Sequence, residues 1–297
     1  MAWSKSLKRK AEFSQPLKNL TTFRIGGAAR SFYRPKSLSQ LKQLVKYLRG
    51  REQKILVLGA GSNILVSDRG VDAAVIKLDA PAFGRIKKEG VFVEAGAGKA
   101  LAQLIAYCRD KGLSGLEFMA GIPGTVGGAL AMNAGIAYKG NNPAIGDLVE
   151  SVKVLDYNSN LKILGRAKFK FGYRSSNLSR YIILSARLKL SPKNKRAVAN
   201  DVSGFLRRRQ AVQDYSRPNA GCVFKNPPGD SAGRLIDACG LKGCRAGGAA
   251  VSLRHANFIL NADRARCQDV LALIRLIKKE VRNKYGVSLR TEIKIWK

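Results

Sequence analysis

Hydrophobic and polar positions along the first part of the chain predict short strands and helices in mixed order. Residues 21–35 alternate like a strand that contains a glycine turn, and the leucines of residues 37–50 recur at helical spacing behind a serine cap. Residues 54–66 have the pattern of a buried strand, a turn and a second apolar run. The same patterns predict further strands and a helix in residues 73–79, 83–98 and 100–112. This order is typical of an α+β fold.

The second half of the chain predicts a passage from one domain to another. Residues 149–164 are expected to form a hairpin with Asn-Ser-Asn at its turn, and residues 181–190 a long strand. Residues 191–213 predict a polar helix that could bridge two domains. A strand, helix, strand, helix pattern and a final strand are then expected in residues 220–227, 231–240, 255–261, 267–286 and 287–296. Gly286 is expected to end the last helix.

Length and composition predict a folded cytoplasmic protein. The 297 residues are enough for about two domains, and 45% hydrophobic residues suffice for a substantial core. The basic residues near the start are not followed by an apolar signal segment, and no run approaches about eighteen uninterrupted apolar residues. We therefore expect no membrane span.

The cysteines predict reduced thiols. They are odd in number and scattered, and they lack paired CxxC spacing, at Cys108, Cys222, Cys239, Cys244 and Cys267. This pattern argues against a disulfide framework and against a metal site. Cys239 is expected to be a small buried residue of the helix in residues 231–240.

The formal charge of +34 raises the hypothesis of a nucleic-acid-binding protein. The basic residues are spread through every segment, however, and their short clusters are not interleaved with aromatic residues. A basic proteome therefore explains the charge better than a dedicated nucleic-acid site does. An anionic substrate would still be attracted by such a field.

Two glycine-rich loops are the candidate ligand sites. GAGSN, residues 59–63, follows an apolar strand, but Ile64 stands where a dinucleotide-binding G-x-G-x-x-G motif needs its third glycine. The loop could still form a backbone nest for a pyrophosphate, or it could be a plain tight turn. GIPGTVGGALAMNAG, residues 121–135, would let a ring and a diphosphate approach the backbone closely, or it could be a glycine-rich crossover in the core.

Seven motifs, taken together, resemble the UDP-N-acetylenolpyruvoylglucosamine reductase family, also called UDP-N-acetylmuramate dehydrogenases. They occur in family order from about residue 14 onward: TTFRIGG, GAGSNILV, AGIPGTVGGALAMNAG, FGYRSS, AGCVFKNP, SAGRLID and TEIKIW. The order resembles the shorter of two family types, which lacks a tyrosine-bearing insertion over the substrate.

The resemblance implies a vanillyl-alcohol-oxidase-like (PCMH-type) FAD-binding domain of two subdomains, residues 1–68 and 69–195. A C-terminal α+β substrate-binding domain, residues 196–286, and a strand that returns to the FAD-binding region, residues 287–297, complete the implied fold. Because no histidine precedes His255, FAD is expected to be non-covalent. The implied cofactor contacts are Gly59, Ala60, Gly61, Ser62, Asn63, Ile64, Gly121, Ile122, Thr125, Gly128, Ala129 and Ile182.

The family reaction, as the resemblance implies it, passes hydride from NADPH through FAD to the enolpyruvyl ether of UDP-N-acetylglucosamine-enolpyruvate, which becomes UDP-N-acetylmuramate. Arg174 matches the arginine that stabilises the developing enolate, and Glu292 matches the catalytic glutamate. Cys222 stands where many members carry a proton-donating serine, and a thiol, with a reference pKa of about 8.5, is the stronger acid. The plain alternatives are that Arg174 is an ordinary strand-end arginine, that Glu292 is a salt-bridge partner and that Cys222 is a structural cysteine.

Substrate contacts are also carried over from the family. The matching positions are Arg209, Gln213, Lys225, Asn226 and His255, although His255 could equally be a structural histidine. Asp214 stands where a proline is common, and Leu253 interrupts a stretch that is often acidic. The resemblance therefore does not predict the loop geometry at these two positions.

Two other functions compete with this one. One is an FAD-dependent oxidase of the same superfamily that acts on a small alcohol or sugar, against which the pair AGCVFKNP and TEIKIW argues. The other is a non-catalytic, basic nucleic-acid-binding protein. A yellow purified protein that NADPH bleaches would separate the reductase from the binding protein. The sequence does not predict the oligomeric state.

Overall fold

The computed structural model describes residues 12–136 and 141–297. Their α-helices are α1 Leu38–Arg49, α2 Leu101–Asp110, α3 Val126–Met132, α4 Lys195–Val212, α5 Ala232–Ala238 and α6 Cys267–Tyr285. Their strands are β1 Glu12–Pro16, β2 Ala28–Tyr33, β3 Ile55–Leu58, β4 Ile64–Val66, β5 Val71–Lys77, β6 Ile86–Glu89, β7 Phe92–Gly96, β8 Leu113–Ser114, β9 Val149–Leu155, β10 Leu161–Gly165, β11 Phe171–Gly172, β12 Ser175–Ser176, β13 Ile182–Lys189, β14 Ser191–Pro192, β15 Asn219–Cys222, β16 Arg245–Ala246, β17 Ala249–Val251, β18 Phe258–Asn261 and β19 Lys294–Trp296. Short 3₁₀ turns connect several of them.

The chain divides into two compact units. As far as they are described, the first comprises Glu12, Ser31–Ala60 and Ala73–Arg208, and the second comprises Phe13–Arg30, Gly61–Asp72 and Arg209–Lys297. The boundary passes through β2, β5 and the predicted polar helix, which is α4. This is a coarser division than the four predicted segments, which stay a prediction. The mixture of helices and strands confirms the α+β class.

The first unit contains an antiparallel five-stranded sheet of order β10-β9-β13-β7-β6. Val93, Val152, Val154 and Leu188 from its strands pack with Leu104 of α2 in a dry core. The predicted hairpin is β9–β10, and Ser159 at its turn has a φ of +65°. The apolar side chains stabilise this sheet, because folding removes one face of each strand from water.

A second core of the first unit lies against α1. Leu41, Leu44, Val45 and Leu48 form the buried stripe of this helix, at the spacing that the sequence predicted. The predicted serine cap is confirmed, because Ser37 Oγ accepts a hydrogen bond from the Gln40 amide at 3.2 Å. The strands beside it belong to a sheet of order β1-β2-β5-β3, in which β3 and β5 are parallel.

The second unit is built on the antiparallel sheet β15-β18-β17-β16, with α5 and α6. Six residues of α6 are buried, at Cys267, Val270, Leu273, Ile274, Ile277 and Val281. Gly286 ends this helix with a φ of +69°, as predicted. At its beginning the Asp68 carboxylate accepts the amides of Cys267 and Gln268, at 2.7 and 3.1 Å.

The final strand is shorter than predicted and pairs with a distant part of the sequence. β19 runs parallel to β4, with Lys294 opposite Ile64 and Trp296 opposite Val66. Before it, Thr291 makes a single bridge to Phe224. In the described part of the chain, no helix is long and apolar enough to cross a membrane.

Candidate active site

The first glycine loop joins β3 to β4. A Cβ atom on Gly59 would lie 2.8 Å from Thr125 Oγ1, so the two glycine loops are in contact within the first unit. Gly61 has a φ of +68°, and a Cβ atom there would lie 2.3 Å from the Leu20 carbonyl oxygen. Both positions therefore require glycine. The helix that a dinucleotide-binding motif needs does not follow, because Ile64 begins a strand.

The second glycine loop leads into α3. Thr125 Oγ1 caps this helix by accepting the Gly128 amide at 3.3 Å, and the Gly127 amide donates to the Ala97 carbonyl at 2.9 Å. A Cβ atom on Gly127 would lie 2.9 Å from Ala97 Cβ. Gly121 is exposed and Ile122 is half-buried. The loop thus presents backbone, not side chains, to a ligand.

These two loops fit a flavin dinucleotide. Backbone without side chains can approach a diphosphate and a ring closely. Beside Gly61, Thr21 Oγ1 is buried and has no hydrogen-bond partner among the described residues, so it can receive a polar ligand atom. Ile182 is different, because it is fully buried in the core beside Leu155 and Leu184. Its predicted cofactor contact stays a prediction.

The end of the first glycine loop is tied to the segment that contains Glu292. Asn63 Nδ2 donates to the Glu292 carbonyl at 3.3 Å, and the Lys294 amide donates to the Asn63 carbonyl at 2.9 Å. The Glu292 amide in turn donates to the Val223 carbonyl at 2.8 Å. A predicted cofactor residue and a predicted catalytic residue are therefore neighbours within the second unit.

Cys222 ends β15 beside this segment. Gly221 before it has a φ of +73°, and the pairing with β18 shifts register between Asn219 and Cys222. The thiol is not part of a disulfide and is half-buried. Lys225, three residues further on, donates its amide to the Arg290 carbonyl at 2.9 Å. The segment that follows the candidate proton donor thus lies beside the segment that contains the candidate glutamate.

Asn257 fixes this strand from its other side. Its Nδ2 donates to the Phe224 carbonyl, and the Phe224 amide donates to its Oδ1, both at 2.8 Å. Asn257 and Phe224 are both buried. This reciprocal pair satisfies two backbone groups that the ladder would otherwise leave unpaired. The sequence analysis missed Asn257, because no periodic pattern marks a buried amide.

Arg174 lies at the tip of a tight hairpin in the first unit. β11 and β12 are joined by Tyr173 and Arg174 alone, and Arg174 has a φ of +51°. The guanidinium carbon lies 5.2 Å from the centre of the Tyr173 ring. Asn133 supports the hairpin by donating to the Gly172 carbonyl at 3.0 Å. A left-handed arginine where glycine is usual is a strained position, which is a feature of functional sites.

The predicted substrate residues occupy the second unit. Arg209 Nε is buried and has no hydrogen-bond partner among the residues described. Gln213 Oε1 accepts the Tyr215 hydroxyl at 2.7 Å, and Asn226 Oδ1 accepts the Ala232 amide at 3.1 Å. An arginine nitrogen without a protein acceptor is available to an anion.

His255 has the contacts of a structural histidine. Its Nδ1 accepts the Asn257 amide at 3.3 Å, and its ring packs against Phe258 with centres 4.5 Å apart. Burial lowers the pKa of His255 below its usual value, so the ring is neutral at pH 7. Its Nε2 then carries the proton and remains a possible donor to a substrate.

Two of the other thiols are more deeply buried than Cys222. Cys108 and Cys267 are buried, and burial raises their pKa values to about 12 and about 11. Cys239 follows α5 and is half-buried, so the prediction that it is a buried residue was wrong. Burial still raises the pKa of Cys239. Among the described residues, no group of His, Cys, Asp and Glu side chains is arranged to hold a metal ion.

Comparison with known proteins gives the family. A family model of the UDP-N-acetylenolpyruvoylglucosamine reductase C-terminal domain matches residues 212–296, and one of an FAD binding domain matches residues 29–165. The UDP-N-acetylenolpyruvoylglucosamine reductase of Desulforamulus reducens is 40% identical over 97% of this chain and 94% of its own length. The chain belongs to the UDP-N-acetylenolpyruvoylglucosamine reductase family.

Further members agree with this assignment. The UDP-N-acetylenolpyruvoylglucosamine reductase of Moorella thermoacetica is 42% identical over 98% of this chain and 94% of its own length. The crystal structure of the Thermus caldophilus reductase superposes with a TM-score of 0.82 at 37% identity, covering 97% of this chain and 99% of that one.

Membership in the UDP-N-acetylenolpyruvoylglucosamine reductase family confirms the predicted resemblance and fold class. The protein is an FAD-dependent oxidoreductase. The match to the reductase C-terminal domain covers Cys222, Lys225, Asn226, His255 and Glu292. The FAD-binding match covers both glycine loops. The roles of the individual residues stay predictions.

Proposed function

We propose that this protein uses NADPH to reduce the enolpyruvyl ether of UDP-N-acetylglucosamine-enolpyruvate to UDP-N-acetylmuramate, a peptidoglycan precursor. One observation carries the proposal. Within the second unit, hydrogen bonds join the end of the first glycine loop at Asn63, the segment that contains Glu292 and the residue that follows Cys222. A flavin loop, an acid and a thiol are the groups that a reduction followed by protonation requires.

The cofactor would be held by the two glycine loops. The residues proposed to hold it are Gly59, Ala60, Gly61, Ser62, Asn63, Ile64, Gly121, Ile122, Thr125, Gly128 and Ala129. When bound, FAD would supply the two-electron chemistry that links NADPH oxidation to reduction of the enolpyruvyl group at its methylene carbon. Gly59 and Gly127 support this assignment, since neither position has room for a side chain.

Arg174 is proposed to stabilise negative charge on the substrate carboxylate. Hydride addition to the methylene carbon leaves carbanion character on the carbon next to the carboxylate, which spreads as an enolate. A planar guanidinium can bind both carboxylate oxygens at once. The left-handed backbone of Arg174 supports this role, because such strain is retained where a side chain must point in one direction.

Cys222 is proposed to deliver the proton that completes the reaction. Its S–H bond breaks, the proton joins the carbon next to the carboxylate, and the thiolate takes up a proton from solvent before the next turnover. Glu292 is proposed to support this step from the neighbouring segment, where it can hold the substrate. The half-buried thiol is accessible to a ligand, as a proton donor must be.

The nucleotide part of the substrate is proposed to bind Arg209, Gln213, Lys225 and Asn226. The buried Nε of Arg209, which has no acceptor among the described residues, supports contact with a diphosphate. His255 is proposed to donate from Nε2. Cysteines without disulfides fit a reducing compartment, which supports a cytoplasmic location.

The test begins with the colour of the purified protein. It should show a flavin spectrum, NADPH should bleach it without oxygen, and UDP-N-acetylglucosamine-enolpyruvate should restore the oxidised spectrum while the product gains two mass units, that is, two hydrogens. Bleaching by a small alcohol or sugar, and restoration by oxygen but not by the UDP-sugar, would indicate an oxidase. Salt-sensitive RNA binding without flavin would indicate the binding protein.

A further inference from the structure

Asp214 is a buried carboxylate at the end of α4. It is 7% exposed, which is rare for an acid unless its oxygens are hydrogen-bonded. Oδ1 accepts the amide and the hydroxyl of Ser216, at 2.9 and 2.6 Å, and Oδ2 accepts the hydroxyl of Ser252 at 2.6 Å. Burial raises the pKa of Asp214, but the hydrogen bonds from Ser216 and Ser252 outweigh it and hold the pKa below its usual value. The group is therefore charged at neutral pH.

Ser252 connects the Asp214 carboxylate to a second loop. Its Oγ accepts the amides of Arg254 and His255, both at 3.0 Å, which occupies its lone pairs. Its proton is consequently directed at Asp214. The Arg254 guanidinium also donates to the carbonyls of Gln210 and Ala211, in the last turn of α4. Two independent links thus tie the loop that begins at Ser252 to the end of α4.

A third link reaches the strand with the candidate proton donor. Asn219 Nδ2 donates to the Asp214 carbonyl at 3.0 Å, and Asn219 Oδ1 accepts the Gly221 amide at 3.0 Å. Asn219 opens β15, which Cys222 ends. The main chain and side chain of Asp214 therefore hold three segments together, and each of them carries a residue proposed to act on the substrate.

We propose that Asp214 is a positioning residue, which through Ser252 and Asn219 holds the end of α4, the loop at His255 and β15 in the arrangement that binds the UDP-sugar. This inference rests on the proposed function. It also explains the departure from the family pattern noted in the sequence. Where a proline is common, this chain has a charged anchor whose hydrogen bonds close the loop.

The two serines that bind one carboxylate provide a matched pair of variants. Ser216 is exposed and closes only a local turn, whereas Ser252 is buried and joins two segments. Asp214→Asn keeps the size of the side chain, but it removes the charge and replaces one of the two acceptor oxygens by an N–H donor, so the side chain no longer accepts from both serines. Asp263→Asn, at an exposed acid of the same unit, controls for the loss of one negative charge.

Binding is measured without turnover, by calorimetry of UDP-N-acetylglucosamine-enolpyruvate on the FAD-loaded protein. Asp214→Asn and Ser252→Ala should each raise its Kd about tenfold, and the double variant should raise it by much less than the product of the two effects, because the two changes share one link. Ser216→Ala and Asp263→Asn should change it less than about twofold. FAD retention and the rate of bleaching by NADPH should not change in any variant.

The possible outcomes distinguish a failure of the positioning role of Asp214 from a failure of the proposed reaction. An unchanged Kd in both Asp214→Asn and Ser252→Ala would overturn the inference, even if the wild type reduces the substrate. Equal weakening in Ser216→Ala would also overturn it, because the local turn would then suffice. If the wild type binds the UDP-sugar but never reduces it, the proposed reaction is rejected. The order of the Kd values of the four single variants still decides the role of Asp214.

Discussion

At the residue scale, the candidate residues include positions of strained backbone and a thiol that is less buried than two of the other cysteines. Arg174 and Gly221 both have positive φ, but only glycine adopts this conformation without cost. Cys222 is half-buried, whereas Cys108 and Cys267 are buried thiols with raised pKa values. Function and stability can therefore be separated by single substitutions at these positions.

Arg174→Gly should separate them most clearly. Removing the backbone strain of a left-handed arginine should stabilise the folded state by about 1–3 kcal/mol. The greater flexibility of glycine in the unfolded state should cost about 0.5–1 kcal/mol of this gain. The free energy of unfolding should stay equal or rise, while turnover falls roughly 10²-fold or more through loss of the enolate contact. Urea unfolding and steady-state kinetics measure the two effects. Arg174→Lys keeps the charge and should also lose most turnover, since lysine lacks the planar fork.

Cys222→Ala should retain FAD and the rate of bleaching by NADPH, but lose reoxidation by the enolpyruvyl substrate, because the carbanion has no proton donor. Cys222→Ser should recover much of the activity. Both half-reactions are followed by stopped-flow absorbance of the flavin. Reoxidation of the alanine variant at the wild-type rate would return this cysteine to a structural role.

Alkylation gives an independent measurement of the same thiol. A thiol reagent should inactivate the wild type, substrate should protect it, and Cys222→Ser should resist. Cys108, Cys239 and Cys267 have raised pKa values and should react slowly. Cys244 is half-buried, so Cys244→Ser is the matched control and should remain as sensitive as the wild type. Inactivation that persists in Cys222→Ser would point to another thiol.

At the scale of elements, the β9–β10 hairpin has an acid that organises its turn. Asp156 Oδ1 accepts the amides of Asn158 and Asn160, at 2.9 and 2.8 Å, and Oδ2 contacts Lys162 Nζ at 2.7 Å. The hydrogen bond from Lys162 and those from Asn160 lower the pKa of Asp156 to about 2, although desolvation opposes this shift. The turn is thus stabilised by the charged form of a single side chain.

Asp156→Asn should destabilise the protein at pH 7 and not at pH 2. A pKa lower in the folded state than the unfolded value of about 3.9 gives stability that is complete above the unfolded value and lost as pH falls from about 4 toward 2. Urea unfolding of the wild type and the variant across this range measures the difference. Asp110→Asn, at an exposed acid of the same unit, should show no comparable convergence. A difference in the free energy of unfolding that is the same at all pH values would show that the shape of the side chain, and not its charge, causes the effect.

Local patterns predicted the elements well, and the links between distant segments poorly. Leucine spacing and Ser37 located α1, and the Asn-Ser-Asn turn located the β9–β10 hairpin, because these signals lie within a few residues. The bond from Asn63 to Glu292, the Asn257 clamp and the Ser252 link have no such signal. The family resemblance supplied the candidate residues, but only the structure shows which hydrogen bonds hold them in place. Asp214 illustrates this, since its departure from the family pattern left its loop unpredicted.

At the scale of the whole molecule, the dominant property is charge. There are 54 basic residues and 20 acidic ones, and the net charge is +34. Several ion pairs lie at the surface, such as Arg30 with Asp72, whose side chains are 64% and 81% exposed. Such pairs contribute little to stability, so the excess positive charge acts mainly as a field.

Raising the NaCl concentration from about 0.1 M to about 1 M should increase the KM for the UDP-sugar severalfold with little change in kcat, because the screening length falls from roughly 10 Å to about 3 Å. Initial rates at saturating NADPH measure it. Sucrose at matched osmolality is the control and should leave KM unchanged. A KM that is independent of salt would mean that the field does not assist capture of the substrate.

The bond between Asn63 and Glu292 also imposes an order of events in the cell. The two residues are 229 positions apart, and β4 likewise acquires its parallel partner only from residues 294–296. A ribosome adds about 5–20 residues per second, so the first glycine loop waits roughly 10–50 s for the strand that supports it. Pairings this distant also form slowly once the chain is complete. If this loop holds FAD as proposed, we expect FAD loading to be a late step of maturation, completed only after translation has passed residue 296.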